Sequence, residues 1–373
     1  MESTLPYHLD HPEESVSDYI ASKIEETGRE IRGYQKLYLD TNFWIHITEV
    51  ELGRNKRPEW IELKNRIYDL ADSAKIVCPF SQDIWVEFFR QTDRKTLSAT
   101  ASVLDRLSRK YAFRTRTERY PNELYHGIQL ALGRDPTTIE PIENHVWTRI
   151  MYVLGMRYPN AIAFDQPQRD AIAKSWIDHT WNLGFEEIHR GLSENAAPTP
   201  DSRSYFDTSA NRVNRFNAAN PDSVRSRKHA IECEFAGVLD YSLPDIAEIC
   251  KGLSSQAGFL SESIPEEESL DFAKQIAAII LEGFRKQKLG KSFPTLQIDA
   301  SIYGAARWDK KRRLSGNDVL DFSHASMALP YCDYFFTEGP LAHLITNDLK
   351  LDIMFSCSVT SKAEEALEIL KRI

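Results

Sequence analysis

The sequence predicts an α/β protein in which a central parallel sheet is interrupted by a mostly helical inserted domain. Short apolar strands alternate with amphipathic helices at both ends of the chain, and this alternation is typical of a parallel sheet. Between the two ends, helical windows dominate and strand signals are nearly absent. The chain has 373 residues, which is long enough for more than one domain.

The amino-terminal part begins with an arm over residues 1–35, which we expect to be largely solvated. The pattern of apolar residues then predicts alternating elements. The expected helices cover residues 17–31, 43–50 and 60–71, and the expected strands cover residues 36–40 and 74–80. Ser81 follows the second strand and is a suitable N-cap for one more helix, which carries Glu87.

The inserted domain is predicted over residues 97–292, so residues 36–96 and 293–373 together form the α/β core. The helical windows of the insert cover residues 97–111, 144–154, 169–192, 223–239 and 270–287. After the insert, we expect helices over residues 296–313, 317–329, 341–349 and 363–373, and strands over residues 333–337 and 353–359. The predicted sheet is therefore assembled from two segments that are distant in the chain.

Composition and charge argue against several classes of protein. A net charge of −9 disfavours a protein that coats nucleic acid by bulk charge, although a nucleic-acid enzyme needs only a local basic path. The five cysteines include no pair at C-x-x-C spacing, so we expect neither a zinc site nor a disulfide framework. There is no run of 18 apolar residues to span a membrane, and the polar start is unlike a signal peptide, which predicts a cytoplasmic protein.

Two acidic residues directly follow predicted strands. Asp40 ends the first strand, and Glu338 lies just past the strand at 333–337. In open parallel sheets, ligands bind at the edge where the carboxyl ends of the strands lie. Taken alone, each acid is more often a turn former or a helix cap. Together they indicate an acidic site at this edge.

Further acidic residues lie on predicted helices. Glu87 stands within the apolar run 85–89, where a charge is costly to bury unless it is paired or binds a metal; the alternative is a solvent-facing glutamate. Asp318 and Asp321 are three residues apart and share a helical face. One of them can serve as a helix cap, which leaves Asp321 as the stronger functional candidate. His324 follows three residues later and more often hydrogen-bonds a neighbour than binds a metal.

The order of these motifs resembles the PIN-domain family of metal-dependent nucleases. The residues that carry the resemblance are Leu-Asp-Thr-Asn at 39–42, Glu87, Asp321 and Thr-Glu at 337–338. The resemblance covers residues 36–94 and 293–373 and does not extend to the insert. It implies a three-layer α/β/α fold, with Mg²⁺ or Mn²⁺ as cofactor and RNA as the preferred substrate. It also implies products with a 5′-phosphate and a 3′-hydroxyl.

By this resemblance, the four acids of the family correspond to Asp40, Glu87, Asp321 and Glu338. The fourth position departs from the family, which usually has Thr-x-Asp where this chain has Gly339. We expect Asp40 and Asp321 to hold the principal metal, because hard cations prefer carboxylate oxygens. Glu87 and Glu338 would bind through water or complete a second metal site.

Two other polar residues join this predicted site. Asp318 is a candidate to supplement Asp321, which stands on the same predicted helix. Asn42 stands beside the first acid, and it or Thr41 would orient a carboxylate or the attacking water.

Clusters of basic residues supply candidate contacts to phosphate groups. The first cluster precedes the third acidic motif and consists of Arg307, Lys310, Lys311, Arg312 and Arg313. The second includes Arg114 and Arg116, which alternate with aromatic residues as in proteins that bind single strands. For each cluster, the alternative is a solvated helix face.

The sequence is compatible with three functions. The first is an endoribonuclease acting on single-stranded or structured RNA, with a regulated role such as that of a toxin-like or antiviral-defence effector. The second is a PIN-like module that binds nucleic acid or protein without cutting, which the departure at Gly339 favours. The third is a structure-specific DNA nuclease. A regulatory protein or a second copy of the chain is a further candidate partner, and no membrane is expected.

Overall fold

The computed structural model describes residues 3–88, 94–193, 202–256 and 266–373. Most of these residues lie in helices, and a small sheet of four parallel strands runs through the larger core. The described strands are β1 (Gln35–Leu39), β2 (Ile76–Val77), β3 (Tyr111–Phe113), β4 (Trp147–Arg149), β5 (Tyr334–Phe336) and β6 (Ser358–Thr360). The mixed α/β class is confirmed, with helix as the larger part.

Helices surround this sheet and form the rest of the molecule. In chain order they are α1 (Leu5–Asp10), α2 (Val16–Ile31), α3 (Thr41–Glu51), α4 (Pro58–Asp72), α5 (Gln82–Phe88), α6 (Arg94–Ser108), α7 (Arg116–Ala131), α8 (Gln166–Trp181), α9 (Phe185–Ser193), α10 (Ser202–Ala219), α11 (Arg227–Tyr241), α12 (Leu243–Gln256), α13 (Glu266–Arg285), α14 (Pro294–Trp308), α15 (Gly316–Tyr331), α16 (Gly339–His343), α17 (Leu351–Phe355) and α18 (Ala363–Leu370). A π-helical segment, Leu344–Leu349, joins α16 to α17.

The order of strands in the parallel sheet is β2-β1-β5-β6. The chain passes from β1 to β2 in one direction and from β5 to β6 in the opposite direction. Right-handed crossovers therefore put α3 and α4 on one face of the sheet and α16 and α17 on the other. The carboxyl ends of β1 and β5 lie at the topological switch point, where ligands bind in open α/β sheets.

Local sequence explains the elements that form this switch point. Residues 37–39 are fully buried, so β1 is an apolar strand of the kind found inside parallel sheets. Asp40 then caps α3 by accepting hydrogen bonds from the backbone of the first helical turn. Ser81 accepts a bond from the Ile84 N–H at 3.3 Å and starts α5, as its position predicts. Ser315 starts α15 with a capping box.

The larger core combines the predicted α/β core with the first half of the predicted insert. Leu104, Phe113, Trp147 and Phe185 are buried in one cluster with the residues of the sheet. The β3–β4 ribbon extends the sheet beyond β2 through a bridge between Phe80 and Ala112. Helix α6 also crosses the predicted domain boundary at residue 96. The early insert therefore packs as part of the sheet domain.

A second, smaller core lies among the helices of the later insert and the start of α14. Its buried residues include Phe235 on α11, Ile276 on α13 and Leu296 on α14. Helices α11 and α14 approach closely because Gly304 has no side chain: a Cβ there would lie 2.6 Å from the Cα of Ile231. This contact joins the second core to the helix that leads back to the sheet.

Three sequence expectations are wrong in detail. Over the described residues 3–35, the arm packs on the rest of the chain instead of standing free in solvent, since α2 buries Ile24 and Ile31 and the buried His8 lies 2.9 Å from Asp178 of α8. Residues 144–154 hold β4 between short 3-10 turns instead of a helix. Residues 353–359 hold the end of α17 and only the start of β6. Short apolar runs fit helix and strand equally well, so long-range packing decides between them.

None of the described helices combines the length and the apolar character that crossing a membrane requires.

Candidate active site

Asp40 stands at the carboxyl end of β1, where its backbone N–H donates to the carbonyl of Phe336 on β5 at 3.0 Å. Its Oδ1 accepts from the N–H groups of Asn42 at 3.1 Å and Phe43 at 3.3 Å. Its Oδ2 is buried without a hydrogen-bond partner. Burial raises the pKa of Asp40 to about 6, although the charge of His324 opposes this shift. Asp40 is thus a largely dehydrated carboxylate with one oxygen unused.

Asp321 lies on the second turn of α15 and faces the same edge of the sheet. Burial, together with the charges of Glu338, Asp40 and Glu87, raises its pKa to about 7, while the charge of His324 opposes the shift. The contacts agree with this, since Glu87 contacts both Thr41, which follows Asp40, and His324, which lies one helical turn after Asp321. Glu338 stands two residues beyond Phe336, the residue whose carbonyl accepts from the Asp40 N–H. The structure therefore brings together four of the predicted acids, and we call this group, with His324, the acidic edge.

His324 is the cation of the acidic edge. The ring is buried, with Nδ1 2.6 Å from the hydroxyl of Tyr38 and Nε2 3.3 Å from Oε2 of Glu87. Burial opposes protonation of the ring, but the hydrogen bond and charge of Glu87, with the charges of Asp83 and Asp40, raise the pKa of His324 to about 9. At neutral pH the imidazolium offsets part of the negative charge around it.

Glu87 is turned into the site instead of toward solvent. Its Oε2 accepts hydrogen bonds from the hydroxyl of Thr41 and from the ring of His324. These contacts connect α5 with the start of α3 and with α15. Pairing with Thr41 and His324 stabilises the charge of Glu87 within this apolar helix. Of the two alternatives that the sequence allows, the structure therefore has the paired glutamate and not the solvent-facing one.

Glu338 is the exposed member of the acidic edge. It precedes α16 without capping that helix, and its charge raises the pKa of both Asp40 and Asp321. The neighbouring Thr337 hydroxyl is buried and lies near enough to lower the pKa of Asp40. The contact falls short of a hydrogen bond, since Thr337 Oγ1 and Asp40 Oδ2 both lack a partner. Buried oxygens without a hydrogen-bond partner are uncommon, and here two of them belong to the neighbouring side chains of Asp40 and Thr337.

Two residues predicted for the site have other contacts. Asp318 forms the capping box of α15 with Ser315 and lies 2.8 Å from the guanidinium of Arg312, which together hold its pKa below the usual range despite partial burial. Asn42 contributes its backbone N–H to Asp40, whereas its side chain is exposed. The structure thus gives Asp318 the role of a helix cap.

Sequence analysis missed the polar residues beneath the acids. Tyr38 is buried and joins His324 to the hydroxyl of Ser81, which lies 2.8 Å from the phenol oxygen. Asp83 is buried and accepts from Ser323 at 2.6 Å. The spacing of Asp83 and Glu87, four residues apart on one helical face, is a signal that could have identified Asp83. For Tyr38, the signal is its position on the same face of β1 as Asp40.

The predicted basic residues divide into two groups. Arg307, Lys310, Arg312 and Arg313 line a cleft between α10 and the loop before α15, and Lys311 is exposed beside it. Arg114 donates to the carbonyl of His145 at 3.0 Å, and Arg116 lies 2.6 Å from the carboxylate of Asp299. These last two side chains bind protein groups, and their role as nucleic-acid contacts stays a prediction.

The acidic edge fits a hard cation in donor type and in charge. Carboxylate oxygens are the ligands that Mg²⁺ and Mn²⁺ prefer, and the unpaired Oδ2 of Asp40 is an unused donor. Within the described ranges, however, no three His, Cys, Asp or Glu side chains are already gathered as metal ligands. The carboxylate oxygens that would bind a cation are present, but they are not already arranged around one point as metal ligands.

No family model, curated protein or solved structure matches this chain.

Proposed function

We propose that the acidic edge is the active site of a divalent-metal-dependent nuclease with a PIN-like α/β core. The observation that carries this proposal is the meeting of Asp40, Asp321, Glu87 and Glu338 at the switch point of the sheet. The raised pKa values of Asp40 and Asp321 mean that their negative charge is not fully compensated within the protein. Such an arrangement destabilises the fold, which is typical of a site kept for binding or catalysis.

Asp40, Asp321 and Glu87 have assigned roles in this proposal. When bound, Mg²⁺ or Mn²⁺ supplies a Lewis acid for the phosphodiester and lowers the pKa of a coordinated water. Asp40 and Asp321 bind the cation, and the free Oδ2 of Asp40 supports this assignment. Glu87 is held in one orientation by Thr41 and His324, as expected of a residue that positions a ligand or a water.

We infer that the substrate is RNA and that the products carry a 5′-phosphate and a 3′-hydroxyl, as the PIN-like motifs imply. A polyanion approaching four carboxylates needs nearby cations. Arg313 and Lys311 are exposed on the loop that leads into α15, the helix that carries Asp321. They are therefore the cations best situated to offset the repulsion.

Cleavage of labelled single-stranded RNA and DNA, with Mn²⁺, Mg²⁺ or EDTA, tests the proposal. We expect cation-dependent cutting of RNA that falls by more than about 100-fold in Asp40→Asn and in Asp321→Asn, beyond the typical 10–100-fold effect of losing an outer-shell partner. Asp271→Asn is a matched control, because this exposed aspartate lies on α13 and pairs with Lys274. Cutting that persists in EDTA, or in both variants, would remove the acidic edge from the mechanism.

A second candidate is a module with the same fold that binds nucleic acid without cutting. The lack of a gathered metal-ligand trio among the described residues favours it. The cleavage assay, run together with a measurement of RNA binding, distinguishes the nuclease from the binding module. Equal RNA binding by the wild type and by both Asn variants, without cutting in the presence of either cation, supports the binding module. Preference for DNA over RNA would instead favour a DNA nuclease.

A further inference from the structure

A cleft of about 480 Å³ lies between α10 and the loop before α15. One wall carries four asparagines at three-residue spacing, and the facing loop carries arginine and lysine side chains. We call this feature the asparagine cleft and define it by Asn211, Asn214, Asn217 and Asn220 together with Arg312 and Arg313. It belongs to the inserted region, to which the PIN-like motifs do not extend.

Repeated asparagines are unusual in a helix, because their short polar side chains compete with backbone hydrogen bonds and lower helix propensity. Two of the four have structural roles. Asn214 bonds both the N–H and the carbonyl of Leu314, at 2.9 and 2.8 Å, and so fixes the loop against α10. Asn220 donates to the carbonyl of Phe216 at the end of the helix.

The other two asparagines have no structural role that explains them. In the described part of the chain, the side-chain amides of Asn211 and Asn217 have no hydrogen-bond partner, although both residues line the cleft. Each amide presents one acceptor and two donor hydrogens. Such a group can bind a nucleobase edge, which offers donors and acceptors side by side.

The facing loop is cationic even after its ion pairs are counted. Arg312 lies 2.8 Å from Asp318, and Lys310 lies 3.3 Å from Asp222. Asp309 also lines the cleft, but Arg313 and Lys311 have no acidic partner among the described residues and leave an excess of positive charge. The cleft therefore has positive charge available for phosphate groups.

The asparagine cleft borders the acidic edge. Arg312 contacts Asp318, and Asp318 lies one helical turn before Asp321 on the same face of α15. Helix α10 also packs closely on the start of α15, since a Cβ on Gly316 would lie 2.4 Å from Oδ1 of Asp207. Helix α15 therefore connects the acidic edge with Arg312, a residue that lines the cleft.

We propose that the asparagine cleft binds single-stranded RNA next to the bond to be cut, and that Asn211 and Asn217 read its bases. This inference rests on the proposed nuclease function. The cations hold phosphate groups, and the free amides bind base edges. Trp308 is 41% exposed next to Arg307, and Phe216 is 51% exposed with the Arg307 guanidinium 5.0 Å from the centre of its ring. Trp308 and the uncovered face of Phe216 provide surfaces on which bases stack.

Binding of RNA, measured separately from cutting, tests this proposal. Every protein carries Asp40→Asn so that the RNA stays intact, and fluorescence anisotropy is measured with labelled adenosine, uridine and cytidine 12-mers over a range of salt. One test variant is Asn211→Ala with Asn217→Ala, and the other is Lys311→Gln with Arg313→Gln. The matched controls are Asn160→Ala and the pair Lys274→Gln with Lys371→Gln, which alter exposed residues away from the cleft.

We expect the parent protein to prefer one of the three oligomers by about tenfold, the discrimination that one good amide–base contact supports. The asparagine variant should bind the three oligomers nearly equally. The Lys311→Gln, Arg313→Gln variant should bind all three more weakly and show a salt dependence smaller by about 0.7 for each lost phosphate contact. The controls should match the parent protein.

Two results would overturn the proposal: equal binding of the three oligomers by the parent protein, or unchanged binding by both cleft variants. A thermal-unfolding midpoint measured for each variant ensures that lost binding is not lost folding. The outcome is independent of catalysis. A chain that never cuts RNA but loses binding in these variants would refute the nuclease while retaining the cleft, and the reverse pattern would refute only the cleft.

Discussion

Buried carboxylates that lie near one another oppose folding, and Asp40 is the clearest case in this molecule. Its folded-state pKa of about 6 lies above the ordinary aspartate value of 3.8. Because the folded state holds this proton more tightly than the unfolded state does, stability falls as pH rises from about 4 to 6. Above pH 6 the whole cost of the buried charge is present, unless a cation binds.

Replacing Asp40 with asparagine should therefore stabilise the protein at neutral pH. Asparagine caps helices as well as aspartate does, so α3 keeps its start. We expect the free energy of unfolding at pH 7, in EDTA, to rise by roughly 2–3 kcal/mol, with little difference from the wild type at pH 4. Urea unfolding at both pH values measures this difference.

Added Mn²⁺ provides the control for this prediction. The cation should raise the free energy of unfolding of the wild type and leave that of Asp40→Asn nearly unchanged. The difference in stability between the two proteins should therefore become smaller. A variant less stable than the wild type at pH 7 in EDTA would show that Asp40 is not an uncompensated charge.

At the scale of single elements, α15 carries two aspartates with opposite roles. Asp318 stabilises the helix through its capping box and its contact with Arg312, whereas burial near like charges makes Asp321 unfavourable when ionised. Three residues separate them, so sequence alone assigns them to one face without distinguishing their functions.

Asp318→Asn separates these roles. We expect a loss of roughly 1 kcal/mol in the free energy of unfolding, because the capping box and the ion pair are both weakened. Metal-dependent cutting should remain, in contrast to Asp321→Asn, which should stabilise the protein and abolish cutting. Paired thermal-unfolding and cleavage measurements check this, and loss of cutting by a fully stable Asp318→Asn would make Asp318 a ligand after all.

At the scale of the whole molecule, a buried polar cluster joins the two cores. Glu123 on α7 accepts hydrogen bonds from Tyr331 on α15, at 2.8 Å, and from Thr295 on α14, at 2.9 Å. Arg119 is also buried, with its Nε 3.6 Å from Glu123, outside hydrogen-bond range. Burial raises the pKa of Glu123, and the charge of Arg119 opposes this.

This cluster allows a test of how the two cores depend on each other. Glu123→Gln keeps one oxygen to accept from the hydroxyls of Tyr331 and Thr295, but it puts an NH₂ donor where the other oxygen accepts from the Thr295 N–H at 3.0 Å. It also leaves the Arg119 charge buried without a counter-charge. We expect a loss of about 3–5 kcal/mol in the free energy of unfolding, which Arg119→Met combined with Glu123→Gln should reverse in part, since the Thr295 N–H stays without an acceptor. Urea unfolding of the three variants measures the coupling. A loss below about 1 kcal/mol in Glu123→Gln would mean that Glu123 is already protonated in the fold.

The amino-acid sequence by itself determined the elements that depend on neighbours in the chain. The apolar run before Asp40, the N-cap at Ser81 and the helix over 317–329 follow from residues within one or two turns. It also indicated which acids stand at strand ends, because the carboxyl ends of parallel strands share one edge.

Only the tertiary structure decided what depends on residues distant in the chain. The contact of Tyr38 with His324 spans 286 positions, and the local pattern around each residue does not predict that the two meet. Packing also decided that β4 is a strand, because buried backbone N–H and C=O groups need hydrogen-bond partners and those of β4 pair with β3. It also put the early insert into the same core as the sheet. Desolvation and the charges of distant neighbours set the pKa of Asp40 and Asp321, and these exist only once the chain has folded.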